Sequence, residues 1–123
     1  MKLIIAYIRP ESLNAVKAEL VKAEVGRMSV TNALGCGQQQ GYTETWRGVA
    51  EEVNLLHKVR VEVAVNEAFV ARTVQAITAG ARSGPDGKGQ IGDGKIFVVE
   101  MMDCIRIRDG ITGPEAIGGD IEG

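Results

Sequence analysis

A short glycine-rich segment, Gly92-Asp93-Gly94-Lys95, carries the residues best suited to chemistry in this chain. The two glycines let backbone N–H groups approach an anion closely, and the lysine adds an ammonium group, so the segment suits a phosphate. With Gly89 it completes a G-x-x-x-x-G-K pattern, but Ile96 stands where a P-loop needs Ser or Thr, and an apolar run follows where a P-loop needs a helix. The segment therefore indicates a nucleotide that is held without fast hydrolysis.

Hydrophobic periodicity predicts the elements that would position this segment. Strands are predicted at residues 2–8, 28–34, 59–65 and 95–102. One amphipathic helix is predicted from Glu11 to about Val25, and a second is predicted to start at Asn66 as its N-cap and to bury Val70, Val74, Ile77 and Ala81. The order strand, helix, strand, strand, helix, strand is that of an α+β, ferredoxin-like fold, in which an antiparallel sheet carries both helices on one face.

Two connections between these elements are unusually long. Cys36–His57 spans about 22 residues, whereas the median loop has ~4–6 residues, and Ser83–Gly94 holds most of the backbone that could wrap an anion. After the last strand, the alternating segment Ile105–Arg108 predicts an extended continuation. The acidic, glycine-rich end Asp109–Gly123 is aperiodic, which predicts a mobile or partner-ordered tail.

Composition bounds the class of protein. The 123 residues suffice for a single domain, and 14 Lys and Arg against 16 Asp and Glu argue against general binding to nucleic acid or a membrane surface. No run approaches the ~20 apolar residues of a membrane span. Cys36 and Cys104 lie far apart without a C-x-x-C pair, which favours a reduced, cytoplasmic setting. The single His57 and the separated cysteines give no metal-ligand spacing, and apolar residues such as Ile5 and Tyr7 on the second sheet face predict an oligomer.

The chain resembles the PII (P-II) nitrogen-regulatory signal proteins over nearly its whole length. The resemblance rests on short motifs that occur in the family's order: Gly35-Cys36-Gly37-Gln38-Gln39-Gln40-Gly41, Thr43-Glu44, Trp46-Arg47-Gly48, Lys58-Val59, Ile91–Val98 and Ile105–Arg108. It implies a homotrimer that binds ATP or ADP in the clefts between subunits and senses 2-oxoglutarate beside Mg-ATP. It also implies that Cys36–His57 is the family's T-loop, which docks on ammonium channels, transcriptional regulators or metabolic enzymes, and that Ser83–Gly94 is its B-loop.

The resemblance also implies roles for single residues. The residues that would line the nucleoside are Met28, Ser29, Glu62 and Ala64. Those that would approach the nucleotide from the turn into the T-loop are Gly35, Cys36, Gly37, Gln38 and Gln39. Those that would bind the phosphates are Gly92, Asp93, Gly94 and Lys95 in the B-loop, with Arg106 and Arg108 from across the subunit boundary. Gln39 and Lys58 would help to bind 2-oxoglutarate, with Mg2+ and ATP near Gln39, and the partner-docking residues would be Tyr42, Trp46, Arg47 and Glu51.

Three departures from the family pattern restrict these assignments. Gln38 stands where the family commonly has an arginine that holds the terminal phosphates, which puts a strong ATP preference in doubt. Glu51 stands where many bacterial members carry a uridylylated tyrosine, so that modification cannot occur there. Pro85–Gly89 reads as a five-residue insertion in the B-loop, in which Lys88 adds a phosphate contact or the loop is simply longer.

These departures keep two other functions open. One is a PII-like sensor of AMP, a cyclic nucleotide or bicarbonate in a different pathway. The other is a small ferredoxin-like enzyme, such as a weak ATPase, that uses Asp93, Lys95 and Arg106 on a phosphorylated substrate. The sequence contains no Ser-His-Asp set and no P-loop, so a regulator is favoured over an enzyme.

Overall fold

Four strands and three helices make up the part of the chain that the structure, a computed structural model, describes, which is residues 1–36 and 55–118. The strands are β1 (Lys2–Ile8), β2 (Ser29–Cys36), β3 (Leu55–Val65) and β4 (Gly94–Glu100). The helices are α1 (Leu13–Lys22), α2 (Val70–Ala81) and the short α3 (Pro114–Ile117). Single turns of 3₁₀ helix, Pro10–Ser12 and Glu67–Phe69, lead into α1 and α2.

The strands form one antiparallel sheet in the order β2-β3-β1-β4. At one end of the sheet Ile8 of β1 pairs with Val59 and Gly94, and we call this the loop end. At the other end Lys2 pairs with Val65 and Glu100, and we call this the tail end. The predicted ferredoxin-like arrangement is confirmed, because consecutive strands in the chain are not all neighbours and two helices connect them.

One face of this sheet packs against α1 and α2 and forms the core. The alternate valines of β3, from Val59 to Val65, are all buried, while the residues between them are half buried. Leu20 of α1 and Ile77 of α2 reach the same cluster and are completely buried. β-branched side chains fit a pleated, covered surface, which is why the period of two in β3 predicted this face correctly.

The two long helices touch closely at a single glycine. A Cβ atom on Gly80 of α2 would lie 2.6 Å from the Cα atom and 2.7 Å from the backbone nitrogen of Val16 in α1. Glycine at this position therefore lets the backbones of α1 and α2 approach each other without an intervening side chain. None of the helices in the described ranges is long and apolar enough to cross a bilayer.

The prediction that Asn66 caps a helix is wrong. Asn66 is extended, its side chain makes no capping hydrogen bond, and α2 begins only after the 3₁₀ turn, at Val70. The Nδ2 group of Asn66 instead donates to the carbonyl oxygens of Pro114, at 3.1 Å, and Gly118, at 2.9 Å. These carbonyls belong to α3 and its end, so Asn66 serves a distant part of the chain rather than its own helix.

The predicted extended continuation at Ile105–Arg108 is also wrong. Ile105 makes only an isolated bridge with Thr112, and the chain then turns back, with the amide of Arg106 donating to the Ile111 carbonyl at 2.8 Å. The Asp103 carboxylate stabilises this reversal, since it accepts hydrogen bonds from the amides of Cys104 and Gly113. An aperiodic end from Asp109 onward is likewise wrong for Pro114–Ile117, which form α3.

Candidate functional site

A hollow of about 530 Å³ lies at the tail end of the sheet, between β3, the approach to β2 and α3. Four of its lining residues are those predicted to contact a nucleoside: Met28, Ser29, Glu62 and Ala64. The others are Leu3, Gly26, Arg27, Cys104, Ala116 and Ile117. The structure therefore brings together four residues that come from two separate stretches of the sequence.

Strand pairing explains why these side chains share one surface. Ser29 of β2 pairs with Glu62 of β3, and Ala64 lies two residues further on the same face and pairs with Leu3. This is the sheet face opposite the helices, because its β3 residues alternate with the buried valines. The Glu62 carboxylate is bound by the guanidinium of Arg60, which also donates to the hydroxyl of Tyr7 at 3.1 Å.

The C-terminal wall of the hollow is the part that sequence reasoning missed. Ala116 and Ile117 of α3 are buried, and Cys104 is partly buried beside them. A signal for this wall is present in the sequence, since Pro114 is favourable in the first turn of a helix and a small apolar pair follows it. Four residues are too few to show a helical period in the sequence. The position of α3 follows only from its hydrogen bonds with Asn66 and from its place in the wall of the hollow.

A second group of predicted residues meets at the loop end of the sheet. The Nζ atom of Lys58 donates to the carbonyl oxygen of Gly92 at 3.3 Å, which ties β3 to the B-loop. A Cβ atom on Gly35 would lie 3.7 Å from Cγ of Lys58, so the last residues of β2 lie beside the same lysine. The residues predicted for phosphate and 2-oxoglutarate binding at Gly35, Lys58 and Gly92 are thus neighbours in one chain.

Gly94 must be glycine for a geometric reason. Its φ angle is +115°, and an added Cβ atom would collide with the carbonyl oxygen of Tyr7. The close approach lets β4 start directly against the end of β1. Lys95 follows it and pairs with Tyr7 through the backbone, with its side chain on the face opposite the helices. That side chain is exposed and makes no hydrogen bond or ion pair with any other described residue.

Asp93 is the most heavily bonded side chain of the B-loop. Its carboxylate accepts hydrogen bonds from the amide of Ser83 at 3.0 Å, the amide of Gln90 at 2.9 Å, Nε of Arg9 at 3.3 Å, and the Ser83 hydroxyl. Burial alone would raise the pKa of Asp93, but the donated hydrogen bonds from Ser83, Gln90 and Arg9 outweigh it and lower the pKa from 3.8 to about 2. All of these partners lie within the chain, so the carboxylate organises the loop.

Arg106 and Arg108 lie far from the B-loop within one chain. Arg106 donates to the Glu115 carbonyl and to the Asp109 carboxylate, both at 3.0 Å, and Arg108 lies 3.4 Å from the same carboxylate. The Ile111 amide, together with Arg106 and Arg108, lowers the pKa of Asp109 in spite of its partial burial. This cluster belongs to the tail end of the sheet, and the six residue steps of β1 from Lys2 to Ile8 separate the two ends by ~20 Å at ~3.3 Å per residue.

The residues predicted to be an insertion in the B-loop, Pro85–Gly89, lie in a segment that hydrogen bonds close on itself. The amide of Gly89 donates to the Ser83 carbonyl at 2.8 Å, and the amide of Gly87 donates to the Gly84 carbonyl at 3.1 Å. Lys88 is exposed, and its ammonium group lies 4.0 Å from the Asp86 carboxylate. Among the described residues, Lys88 makes no hydrogen bond or ion pair with those predicted to bind phosphate.

Several predicted site residues lie outside the described residues, so their roles stay predictions: Gly37, Gln38, Gln39, Tyr42, Trp46, Arg47 and Glu51. Cys36 is the last residue of β2. Among residues 1–36 and 55–118, no group of three or more His, Cys, Asp or Glu side chains could hold a metal ion.

Comparison with known proteins gives the family. The model of the family described as nitrogen regulatory protein P-II matches residues 1–111. The nitrogen regulatory protein GlnK1 of Methanosarcina mazei is 50% identical over 117 residues, which cover 95% of this chain and 97% of that protein. The chain belongs to the nitrogen regulatory protein P-II family.

P-II proteins from other organisms are also similar to this chain. A nitrogen regulatory protein P-II of Rhizobium etli is 41% identical and the P-II 1 protein of Methanothermobacter thermautotrophicus is 43% identical, each over 95% of this chain. The resemblance inferred from the sequence motifs is therefore confirmed, and this P-II chain is a nitrogen-regulatory signal protein by family. The ligands and the partner of this member are matters for proposal.

Proposed function

We propose that this P-II protein binds ATP or ADP in clefts between the subunits of a homotrimer and regulates partner proteins through its T-loop. The observation that carries this proposal is the hollow, where Met28, Ser29, Glu62 and Ala64 converge on about 530 Å³ of space. Its lining combines apolar side chains with the polar groups of Arg27, Ser29 and Glu62, which suits a flat base and an attached sugar. The adjoining face of β2 and β3 leads from there towards Lys58 and Gly35.

The phosphates would lie at the loop end, where the lysines and glycine amides are found. Along β3 the four residue steps from Glu62 to Lys58 span ~13 Å at ~3.3 Å per step, so an extended nucleotide would run along this face. Lys58, Lys95 and the amides around Gly94 would then offset the negative charge of the phosphates. Lys58 would also contact 2-oxoglutarate, with Mg2+ held by the nucleotide phosphates near Gln39.

A second subunit is needed to complete this arrangement. Arg106 and Arg108 lie at the tail end of their own chain, whereas the B-loop lies at the other end of β1, so the arginines of a neighbouring chain would be the ones to reach the phosphates. The open sheet face supports assembly, since Phe97 and Val99 are 47% and 42% exposed beside the half-buried Ile5. A trimer would cover this face and bring the arginines of one subunit to the site of the next.

Regulation would follow from the ligand's preference among T-loop conformations. The T-loop begins directly after β2 and ends at β3, so a ligand beside Gly35 and Lys58 lies at its base. A nucleotide with or without 2-oxoglutarate would bind one loop conformation better than another, and a partner such as an ammonium channel, a regulator or a metabolic enzyme would read the difference. We place this activity in the cytoplasm and assign no catalytic residue.

Isothermal titration calorimetry with ATP, ADP and AMP, each with and without 2-oxoglutarate and Mg2+, tests the proposal. We expect ATP or ADP to bind, and Lys95→Ala to weaken that binding by roughly tenfold or more, because a charged hydrogen-bond donor to phosphate is lost. Lys17→Ala is the matched control, since Lys17 is an exposed lysine on α1, away from the site. Its binding should equal that of the wild type.

Three results would contradict the proposal. No binding of any of the three nucleotides would remove the nucleotide function. Tighter binding of AMP, a cyclic nucleotide or bicarbonate than of ATP would favour a sensor of another small molecule. ATP turnover well above slow background hydrolysis, abolished by Lys95→Ala, would favour an enzyme.

A further inference from the structure

The arrangement around Asp93 points to a role for two residues that the nucleotide site does not explain. A carboxylate in the middle of a phosphate-binding loop repels the phosphate by its charge, so a ligand role for Asp93 is unfavourable. The side chain is instead 16% exposed and is hydrogen-bonded to Ser83 and Gln90 within the B-loop and to Arg9 just after β1. This explains why an acid is present without requiring it to touch the ligand.

Arg9 contacts the loop at two points. Its Nε group donates to the Asp93 carboxylate at 3.3 Å, and its Nη2 group donates to the Ile91 carbonyl at 2.8 Å. The guanidinium also lies against Gly92, where an added Cβ atom would be 2.8 Å from Nη2 and where φ is +99°. The side chain of Arg9 is 26% exposed, so its attraction for Asp93 is only partly screened.

We propose that Arg9 and Asp93 form a positioning pair that holds the B-loop in the shape in which its backbone amides and Lys95 meet a phosphate, and that neither residue is itself a ligand. This inference rests on the proposed nucleotide function for its binding test. The pair holds the turn before β4 from two directions: the Asp93 carboxylate accepts from the amides of Ser83 and Gln90, and Arg9 donates to the Ile91 carbonyl inside the turn.

Asp93→Asn tests the pair with a change of almost no volume. One carboxylate oxygen accepts from Arg9 and the Ser83 hydroxyl, and the other accepts from the Ser83 and Gln90 amides. Whichever way the new amide is oriented, its N–H₂ group faces donors, so the loop loses its shape. A carboxylate that merely lies near the phosphate predicts the opposite result, because its removal would strengthen ATP binding.

We expect Asp93→Asn to weaken ATP binding by roughly tenfold or more, the range for losing hydrogen bonds to a charged group. Asp86→Asn is the matched control, because it removes the same charge from the same loop. The Asp86 side chain is 64% exposed, and its ion pair with Lys88 is long, at 4.0 Å. Such an exposed pair contributes little, so the affinity of Asp86→Asn for ATP should stay within about threefold of the wild type. ATP binding by Asp93→Asn that equals or exceeds the wild type would overturn the positioning role.

A double-mutant cycle separates positioning by Arg9 from direct contact. Arg9→Gln should weaken ATP binding, and the Arg9→Gln, Asp93→Asn double variant should lose no more than the weaker-binding single variant, since both act through one loop. If the two losses instead add, Arg9 acts on the phosphate directly and the positioning pair is wrong. Should Asp93→Asn fail to fold, Ser83→Ala removes only the hydroxyl donor and takes its place in the cycle.

Amide hydrogen exchange without any nucleotide makes the inference independent of the proposed function. The amides of Ser83 and Gln90 should exchange faster in Asp93→Asn than in the wild type or Asp86→Asn, because they lose their acceptor. Unchanged exchange would overturn the positioning role even where ATP binds. A wild type that binds neither ATP nor ADP but shows the exchange difference would overturn the nucleotide function and leave the positioning pair standing.

Discussion

At the scale of single residues, the carboxylate of Asp93 couples the B-loop to pH. Its pKa falls from 3.8 to about 2, since the hydrogen bonds from Ser83, Gln90 and Arg9 outweigh the opposing effect of burial. The folded state therefore holds this proton less tightly than the unfolded state does. The stabilisation is present at neutral pH and is lost as the pH falls through about 4 towards about 2.

We predict that the difference in unfolding free energy between the wild type and Asp93→Asn is constant above about pH 5 and shrinks below about pH 4. Urea denaturation of both proteins at several pH values between 2 and 7 measures it. Glu67, whose pKa is lowered mainly by the hydrogen bond from Lys2, is present in both proteins, so its contribution cancels. A difference that stays constant down to pH 2 would show that Asp93 has an ordinary pKa.

At the scale of secondary-structure elements, the contact between α1 and α2 depends on Gly80. We predict that Gly80→Ala lowers the unfolding free energy by roughly 1–3 kcal/mol, because its methyl group would overlap the backbone of Val16. The higher helix propensity of alanine, worth about 1 kcal/mol, acts in the opposite direction and is too small to compensate. Thermal or urea denaturation checks the sign.

Gly26→Ala is the control for that substitution. Gly26 has no atom within 4 Å of an added Cβ, so the same change should leave stability unaltered or raise it by about 0.4–1 kcal/mol. Equal effects of the two substitutions would mean that α2 can move away from α1 at no cost.

The short helix α3 is held by Asn66, and two substitutions separate its possible roles. Asn66→Ala removes the donors to Pro114 and Gly118 and should cost about 1–2 kcal/mol, since each hydrogen bond contributes about 0.5–1.5 kcal/mol. Asn66→Asp should cost more, because it turns a carboxylate towards carbonyl oxygens. Thermal denaturation and limited proteolysis within residues 104–118 measure both effects, and an Asn66→Ala protein as stable as the wild type would rule out the donor role.

These elements also show what local sequence can and cannot predict. The alternation of Val59–Val65 predicts strand and core correctly, and the helical spacing of Val70 to Ala81 predicts the helix, because burial repeats along a single element. Val70 and Val74, predicted to be buried, are only partly buried against the core. Asn66 looks like an N-cap, but its partners lie 48 and 52 residues away, and no local pattern contains them. The hollow was predicted through Met28, Ser29, Glu62 and Ala64 from family resemblance, whereas its α3 wall depends on that long-range contact.

At the scale of the whole molecule, the sheet face opposite the helices exposes a group of apolar side chains on β1 and β4 that a trimer would cover. Tyr7 and Phe97 meet edge to face, with ring centroids 6.2 Å apart, and Val99 lies next to them on β4. We predict a mass in solution of three times 13.1 kDa, measured by light scattering after size-exclusion chromatography. Phe97→Lys should shift this mass towards that of a single chain, since it buries a charge in the interface.

Val21→Lys provides the comparison for that prediction. Val21 is 64% exposed on α1, on the other side of the molecule, so the same apolar-to-lysine change should leave the mass unchanged. A wild type of single-chain mass, or a Phe97→Lys protein of unchanged mass, would contradict the assembly.

The hydrogen bond from the Gly89 amide to the Ser83 carbonyl has a consequence for protein engineering. It joins the two ends of the loop formed by residues 84–88. The hydrogen bonds of the Asp93 carboxylate are made by residues outside 84–88. A reporter peptide or a fluorescent label can therefore replace the tip of this loop without stretching the backbone on either side. This segment thus supplies an attachment point for a reporter of the proposed nucleotide binding in a living cell.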